Sequence, residues 1–261
     1  MRRRALLRRA SQELLRSAME RLATPLSEQE LRCSAMVFAP HPDDETLGCG
    51  GTILQKRRAG ASMRIVFMTD GAASHAHLTS RAELSTTRHR EALEAVEVLG
   101  LGASDVSWLG FPDGELGRWR PQAALRVGEL LQRYRPEQLF LPYARGEHAD
   151  HVATNTIVYE AIGRVGLPAT LLEYPVWSWR HWPATVRSLR FLRELRTSVA
   201  VQDVLAQKRS ALERHVSQMR RRNGQPGWGT LGDIDGGEFL ASLFQDYEYY
   251  RRVDRLGTWR R

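Results

Sequence analysis

Residues 34–60 have the sequence SAMVFAPHPDDETLGCGGTILQKRRAG, and the order of its parts decides the fold. The apolar run Ser34–Ala39 is typical of a buried strand. The segment Thr46–Ala59 has helical character and ends at Gly60, a residue type that commonly follows a helix C-terminus. A polar loop with one histidine and three acids joins the two. A strand, a polar loop and a helix in this order predict the first half of a βαβ unit.

The same alternation continues along the chain. Four further strands are predicted, at Met63–Thr69, Asp105–Leu109, Gln138–Leu141 and Thr170–Pro175. Three further helices are predicted, at Ser80–Leu99, Pro121–Tyr134 and His151–Val165. Strands that alternate with helices favour parallel pairing, because each crossover helix returns the chain to the same end of the sheet. We therefore predict a single-domain α/β fold, Rossmann-like, with a mostly parallel sheet and helices on both faces.

The two ends of the chain carry weaker signals. Residues 1–22 space their apolar side chains as a helix does and place arginines mostly on the opposite face, so we assign 1–30 to an N-terminal basic amphipathic helix and 31–261 to the main domain. Residues 176–199 show no clear pattern. Beyond them we predict a helix at Val204–Met219, a loop over 220–237 and a short final helix or strand at Glu238–Tyr250.

Composition excludes several classes of protein. The 261 residues include 38 Lys+Arg against 30 Asp+Glu, a net charge of +8, and 42% are hydrophobic, which excludes intrinsic disorder. No run approaches about 18 apolar residues, so no stable membrane insertion is expected. Apart from Lys56 and Lys208 the basic residues are arginines scattered along the chain, which argues against a nucleic-acid partner. Cys33 and Cys49 are too few for a disulfide framework, which favours a reducing, cytoplasmic compartment.

Two predicted loops bring histidines and acids together. His41 and Asp44 follow the first strand, and His151 follows the fourth. Parallel strands direct such loops to one crevice at their carboxyl ends, where these side chains would supply the nitrogen and oxygen ligands that Zn²⁺ accepts and leave a position for water. Asp43 would then be free to act as a base. A hydrogen-bonded surface cluster is the alternative, and the pattern alone leaves both open.

The run APHPDDETLGCGG, from Ala39 to Gly51, closely resembles the opening motif of the LmbE-like, or PIG-L, family. The resemblance continues in the family's order over residues 34–218, through shorter motifs at Thr69–Gly71, Arg88–Ala92, Leu109–Gly114, His148–His151 and Lys208–Gln218. Members of this family are zinc-dependent deacetylases of N-acetylglucosamine conjugates. The resemblance therefore implies that residues 31–261 form an LmbE-like deacetylase domain.

The resemblance implies a metal site and a base. His41, Asp44 and His151 match the residues that hold Zn²⁺ in the family, with Fe²⁺ as an alternative metal. Asp43 matches the general base, which takes a proton from the attacking water. In this chemistry the metal lowers the pKa of the water and polarises the amide carbonyl.

The resemblance also implies residues that act on the substrate. His148, as an imidazolium oriented by Asp150, would stabilise the oxyanion that forms during attack. Arg88 and Asp113 match positions where relatives contact the sugar or its appended group. Some relatives place a tyrosine two residues before the oxyanion histidine; here Gly146 stands there. Several tryptophans are candidates for stacking on sugar rings or for ordinary packing, namely Trp119, Trp177, Trp179 and Trp182.

Three functions remain to be weighed. The leading hypothesis is removal of the acetyl group from a small N-acetylglucosamine-type conjugate. The alternative is a metal-dependent amidase or hydrolase that uses the same residues on a non-sugar N-acyl substrate. The third is a noncatalytic module that binds nucleic acid or anionic lipid through its arginines, and the intact ligand set argues against it. An acidic substrate would be expected to meet Arg88 and the basic residues 220–222. The oligomeric state is left open.

Overall fold

The computed structural model describes residues 13–14, 16–181, 190, 192–222 and 225–253. The strands are β1 (Thr24–Pro25), β2 (Ala35–Ala39), β3 (Met63–Thr69), β4 (Val106–Phe111), β5 (Gln138–Pro142), β6 (Thr170–Tyr174), β7 (Thr197–Ala200) and β8 (Tyr247–Val253). The helices are α1 (Glu28–Arg32), α2 (Asp44–Arg58), α3 (Arg81–Val98), α4 (Arg120–Tyr134), α5 (Ala149–Val165), α6 (Leu205–Leu212), α7 (Val216–Met219) and α8 (Glu238–Ser242).

One sheet contains all eight strands, in the order β1-β7-β8-β6-β5-β2-β3-β4. The five strands β2 to β6 pair in parallel with their neighbours. β8 runs antiparallel between β6 and β7. The chain leaves β2 towards β3 and β4 and later returns to pair β5 with the other edge of β2. The carboxyl ends of β2 and β5 therefore form the switch point where sheets of this class bind ligands.

Helices cover both faces of this sheet, as the sequence predicts. Because successive side chains of a strand point to opposite faces, each strand contributes to two cores. Val37 and Ala39 belong to the core that includes side chains of α2, α3 and α6. Met36 and Phe38 belong to the other core, with α4 and α5. The α/β, Rossmann-like fold with a mostly parallel sheet is thus confirmed.

The strands and helices predicted between residues 34 and 175 match the structure with bounds that differ by at most two residues. Most of the helix predicted over residues 1–30 lies outside the described residues, and β1 interrupts the remainder at Thr24–Pro25. The later part differs more. The single helix predicted over Val204–Met219 is wrong, because the chain breaks between α6 and α7, where His215 turns inward and contacts Glu45. The final segment contains both a helix, α8, and a strand, β8, rather than one of them. Within the region that showed no clear pattern, residues 197–199 enter β7.

The beginning of the chain joins the main body of the protein before residue 30. Residues 16–22 are helical, and Met19 is buried in the core. Thr24 pairs with Thr197 of β7, so the sheet already includes this segment. The boundary predicted between residues 30 and 31 falls inside α1. None of the helices in the described part of the chain combines the length and the apolar character needed to span a bilayer.

The glycines of α2 allow it to lie close against the sheet and β7. A Cβ atom on Gly48 would stand 2.4 Å from Cδ2 of Tyr174, and one on Gly51 would stand 2.5 Å from Cγ1 of Val201. The Tyr174 ring cannot move aside easily, because it is buried and its hydroxyl donates to the carbonyl of Phe38 at 2.7 Å. Close packing thus requires these small residues.

We expect Gly48→Ala to lower the free energy of unfolding by about 1–3 kcal/mol, as overpacking does in a well-filled core. Gly128→Ala in α4 is the matched control, since its Cβ would meet Cγ2 of Val165 at an ordinary 3.6 Å. The control should gain up to about 1 kcal/mol of helix propensity. Urea unfolding followed by circular dichroism measures both, and a Gly48→Ala protein as stable as the wild type would contradict this packing account.

Candidate metal centre and active site

The turn that follows β2 places two neighbouring aspartates in different surroundings. The backbone of Asp43 has φ 137° and ψ −27°, a conformation that residues with a Cβ atom rarely adopt. Asp44 begins α2, and its Oδ2 accepts a hydrogen bond from the backbone N–H of His41 at 3.0 Å. All three residues are buried. The unusual turn therefore directs the adjacent carboxylates of Asp43 and Asp44 into different surroundings.

Asp44 brings together the two histidines that were predicted as metal ligands. Its Oδ2 lies 3.1 Å from Nδ1 of His41 and 3.1 Å from Nε2 of His151, which stands in the first turn of α5. The pKa of Asp44 is held well below its usual range, because its contacts with His151 and His41 outweigh burial, which acts in the opposite direction. The structure thus places all three predicted ligands side by side.

This donor set fits a zinc ion. Ligands bound tetrahedrally at about 2.0–2.1 Å stand roughly 3.3 Å from one another, close to the separations between these atoms. Nε2 of His151 is buried, and its 3.1 Å contact with Asp44 lacks the geometry of a hydrogen bond, as expected of a nitrogen whose partner is a metal. Four carboxylates also gather here, on Asp43, Asp44, Asp113 and Asp150, and a divalent cation would offset their charge.

The second nitrogen of the His41 ring is held by two outer carboxylates. Nε2 lies 3.1 Å from Oδ1 of Asp113 and 3.2 Å from Oδ2 of Asp150. Burial opposes the charged form of His41, but these hydrogen bonds and that of Asp44 raise its pKa well above the ordinary value. A carboxylate on the far side of a metal-binding histidine fixes its tautomer and its orientation. Asp113 and Asp150 therefore aim Nδ1 of His41 at the metal position.

This arrangement corrects the role predicted for Asp150. The carboxylate of Asp150 accepts from His41 and from the backbone N–H groups of Gly114, at 2.7 Å, and Leu116, at 3.1 Å. No hydrogen bond joins it to His148. The prediction that Asp150 orients His148 is therefore wrong in this structure, because the start of α5 turns the carboxylate towards the β4 loop.

His148 is held by rings rather than by a carboxylate. Its ring meets that of His41 edge-on, at 4.8 Å between centroids, and stacks against Trp177 at 5.9 Å. Burial lowers the pKa of His148 to about 4, and the neighbouring His41 and His151 act in the same direction. These surroundings disfavour the imidazolium form that the resemblance implies. A neutral His148 still has one N–H to donate, and its Nδ1 has no partner in the structure.

Arg88 stabilises the turn that follows β2. Its guanidinium donates to the carbonyls of Gly71 at 2.9 Å and Pro42 at 2.5 Å, and to Oδ2 of Asp43 at 3.0 Å. Burial raises the pKa of Asp43, although Arg88 acts against this. Arg88 was predicted to contact substrate. The structure shows that Arg88 lines the cavity. Two of its hydrogen bonds go to the turn and one to Gly71, and its buried Nε has no partner.

Asp113, the other predicted substrate contact, also has inner partners. One carboxylate oxygen faces His41, and the other accepts from the backbone N–H of Ala73 at 2.8 Å. Its pKa is held below the usual range by His41, although burial acts in the opposite direction. Asp113 lines the cavity as well. Asp113 therefore orders His41 and the loop at Ala73, and its place in the cavity lining also allows contact with a substrate.

The metal site opens into a cavity of about 520 Å³. The loop after β3, helix α7 and the loop before α8 supply polar side chains that sequence reasoning did not assign, namely Ser74, His75, His77, Gln218 and Thr230. His75 stacks on Trp228 at 4.1 Å and its Nε2 lies 2.9 Å from the carbonyl of Gly229, so the two loops support each other. A usable signal for Gln218 was its place in the late family motif. The loop residues belong to none of the motifs quoted above, so the sequence carried no signal for them.

Among the tryptophans, Trp177 lines the cavity and lies between His148 and Phe239. Trp179 is buried in the core, and Trp119 is largely exposed. Trp182 lies outside the described residues. The structure thus selects Trp177 as the candidate for stacking.

Neither Tyr143 nor the arginines 220–222 line the cavity. The hydroxyl of Tyr143 donates to Glu194, and burial together with the Glu194 carboxylate raises the pKa of Tyr143. The arginines 220–222 line a different groove, between α3 and α7, rather than the cavity. Contrary to expectation, the arginines 220–222 therefore do not line the cavity beside the candidate metal site.

We expect Asp150→Asn to weaken zinc binding by about 10- to 100-fold, because the loss of an outer carboxylate leaves the His41 ring less firmly oriented. Competition with a chromophoric chelator at neutral pH measures the affinity. Glu160→Gln is the control, since Glu160 lies on the same helix but pairs with Arg120 and Arg164. Equal zinc affinity in the Asp150→Asn and wild-type proteins would contradict the role of the outer carboxylates.

Comparison with known proteins agrees with this site. Residues 36–162 match the family model PIG-L, described as GlcNAc-PI de-N-acetylase. A diacetylchitobiose deacetylase of Thermococcus kodakarensis is 30% identical over 139 residues, which cover 51% of this chain and 50% of that protein. The matched stretch thus spans half the length of this relative. A 1D-myo-inositol 2-acetamido-2-deoxy-alpha-D-glucopyranoside deacetylase of Saccharopolyspora erythraea is 27% identical over 260 residues, covering 81% of this chain and 88% of that protein.

The fold is shared with solved structures. The N,N'-diacetylchitobiose deacetylase of Pyrococcus horikoshii superposes with a TM-score of 0.67 at 22% identity, covering 94% of this chain and 92% of that one. The family-model match over residues 36–162 includes the strand, loop and helix that carry His41, Asp43 and Asp44. The match of residues 36–162 to the PIG-L family model confirms the resemblance that the motifs predict.

Proposed function

We propose that the protein is a metal-dependent N-deacetylase that hydrolyses the acetamido group of a small N-acetylglucosamine-type conjugate. The observation that carries this proposal is the pair Asp43 and Asp44. Asp44 contacts both histidines of the ligand set, whereas Asp43 contacts Arg88, and both carboxylates line the cavity. A carboxylate base beside a metal position is the arrangement that amide hydrolysis by an activated water requires. The deacetylase names of the relatives support the same reaction.

His41, Asp44 and His151 would hold the metal, which when bound makes a water more acidic and polarises the acetyl carbonyl. Asp43 accepts a proton from the attacking water while the water oxygen bonds to the acetyl carbon. Arg88 keeps the Asp43 carboxylate in place during this transfer. Burial raises the pKa of Asp43 above that of an ordinary aspartate, which makes its carboxylate a stronger base.

The second half of the reaction breaks the amide bond. His148 stands beside His41 and His151 and donates its single N–H to the oxyanion as a neutral imidazole. Asp43 then returns its proton to the leaving nitrogen, the C–N bond breaks, and the products are the free amine and acetate. This proton return needs no further acid.

The lining of the cavity favours a sugar over a non-sugar substrate. Ser74, Gln218 and Thr230 offer hydroxyl and amide groups that suit sugar hydroxyls, and Trp177 offers an aromatic face. Arg88 and Asp113 would add contacts at the metal end. A non-sugar N-acyl substrate stays the alternative, because the reacting residues would be the same for it.

We propose zinc as the native metal, with Fe²⁺ as the alternative, on the strength of the two nitrogen donors and one oxygen donor. Cys33 and Cys49 are both free thiols, which supports the proposed cytoplasmic location. Neither a nucleic-acid partner nor insertion into a membrane forms part of this proposal.

Acetate release from a panel of substrates tests the reaction. We expect the zinc-loaded protein to deacetylate N-acetylglucosamine conjugates and N,N'-diacetylchitobiose faster than N-acetyl amino acids. Chelator treatment should abolish the activity, and added zinc should restore it. A loaded, folded protein that is inert on every substrate would sink the proposal, and faster turnover of the amino acids would favour the alternative.

Asp43→Asn should lower kcat by about 10²- to 10⁴-fold, the contribution of a general base, while one zinc ion per chain is retained. Asp203→Asn is the matched control, since this surface carboxylate pairs with Arg58 far from the cavity and should leave kcat unchanged. An Asp43→Asn enzyme with the wild-type rate would remove Asp43 from the mechanism.

A further inference from the structure

The backbone of Asp43 is held in a conformation that costs free energy. Its φ of 137° lies outside the regions that residues with a Cβ atom usually occupy. Such strained residues persist only where the surrounding structure fixes them. Arg88 holds the side chain of Asp43 and the carbonyl of Pro42, but it does not contact the N–H of Asp43. Something else must therefore fix that end of the residue.

Glu45 holds the N–H of Asp43. Its Oε2 accepts this hydrogen bond at 2.9 Å, and its Oε1 accepts from the hydroxyl of Thr46 at 2.6 Å. The side chain of Glu45 is fully buried. A buried carboxylate needs donors on both oxygens, and the N–H of Asp43 in its unusual conformation is the donor to Oε2.

His215 holds Glu45 in turn. Its Nε2 lies 3.0 Å from Oε1 of Glu45, and the ring is fully buried. His215 stands at the corner between α6 and α7, so this contact ties the turn at residues 41–45 to a distant part of the chain. Neither Glu45 nor His215 lines the cavity, and neither takes part in the reaction steps described above.

We propose that Glu45 and His215 are positioning residues, which act through the N–H of Asp43 to hold the general base in its strained, productive conformation. This inference rests on the proposed function of Asp43 as the base. The chain of contacts from His215 through Glu45 to Asp43 is hereafter the His215–Glu45 tether. Because proton transfer depends on the placement of the base, release of the tether affects turnover before it affects binding.

Three substitutions test the tether in the zinc-loaded protein. Glu45→Gln leaves one acceptor oxygen for three donors, and His215→Leu removes the donor to Glu45. Each should lower kcat by roughly 10- to 100-fold, with KM and zinc content nearly unchanged, because a small misplacement of a reacting group has an effect of this size. His215→Gln restores an N–H donor at this position and should recover most of kcat.

Glu91→Gln is the matched control. Glu91 is also a buried carboxylate that holds the corner at α7, through the N–H and the hydroxyl of Ser217 at 2.8 and 2.7 Å, but it does not touch the turn of Asp43. It should lower the melting temperature and leave kcat unchanged. A fall in kcat for Glu91→Gln equal to that for Glu45→Gln would mean that the corner acts through general stability, which overturns the proposal.

A double-mutant cycle gives the sharper test. If Glu45 acts through Asp43, then Glu45→Gln should cause no further loss of kcat in an Asp43→Ala background. Independent, multiplying losses would overturn the proposal, as would wild-type kcat in folded Glu45→Gln and His215→Leu proteins.

A crystal structure of Glu45→Gln separates this inference from the proposed function. We expect residue 43 to leave the conformation near φ 137°, whether or not a substrate has been found. If the wild type is inert on every substrate, the proposed function fails while the displaced turn still supports the tether. An unmoved Asp43 in the Glu45→Gln crystal overturns the tether even in an active enzyme.

Discussion

The contacts of the Asp44 carboxylate with His41 and His151 are the interaction on which the rest of the site depends. They join two loops that are far apart in the chain, and they are possible because β2 and β5 are neighbours in the sheet. Parallel pairing of Val37 with Phe140 brings the ends of both strands to the same edge. The sheet topology therefore brings the candidate ligands to one place, and the contacts of the individual side chains set their exact positions.

The gathering of carboxylates at this edge is costly unless positive charge is supplied. Arg88 compensates Asp43, and His41 lies within hydrogen-bond distance of Asp44, Asp113 and Asp150. A buried charge that lacks such a partner would shift its pKa and become neutral. The carboxylates of Asp44, Asp113 and Asp150 thus stay ionised beside the His41 imidazole and the metal position. Asp43 pairs with the Arg88 guanidinium, and burial still raises the pKa of Asp43.

Hydrophobic periodicity was enough to predict β2 to β6 and the helices between them, because buried parallel strands are short apolar runs. It was not enough for β8, where Glu248 and Arg251 interrupt an aromatic run and the partners are distant. That His41, Asp44 and His151 come together could be predicted, because motif order and strand ends agree. The charge of His148 and the partner of Asp150 could not, because both depend on which rings and amides lie nearby in three dimensions.

None of the three proposed metal ligands lies in the last third of the chain, yet described residues of this region fix α2, which begins with Asp44. The fully buried Lys208 donates to the carbonyl of Leu47 at 3.1 Å and to Glu248 at 2.8 Å. Glu248 in turn accepts from the backbone N–H groups of Gly51 and Thr52. This buried ion pair is satisfied on both sides, so it gives α2 one position rather than several. Because these contacts fix the helix that places Asp44, substitutions in the loops around the cavity would alter substrate contacts without moving Asp44.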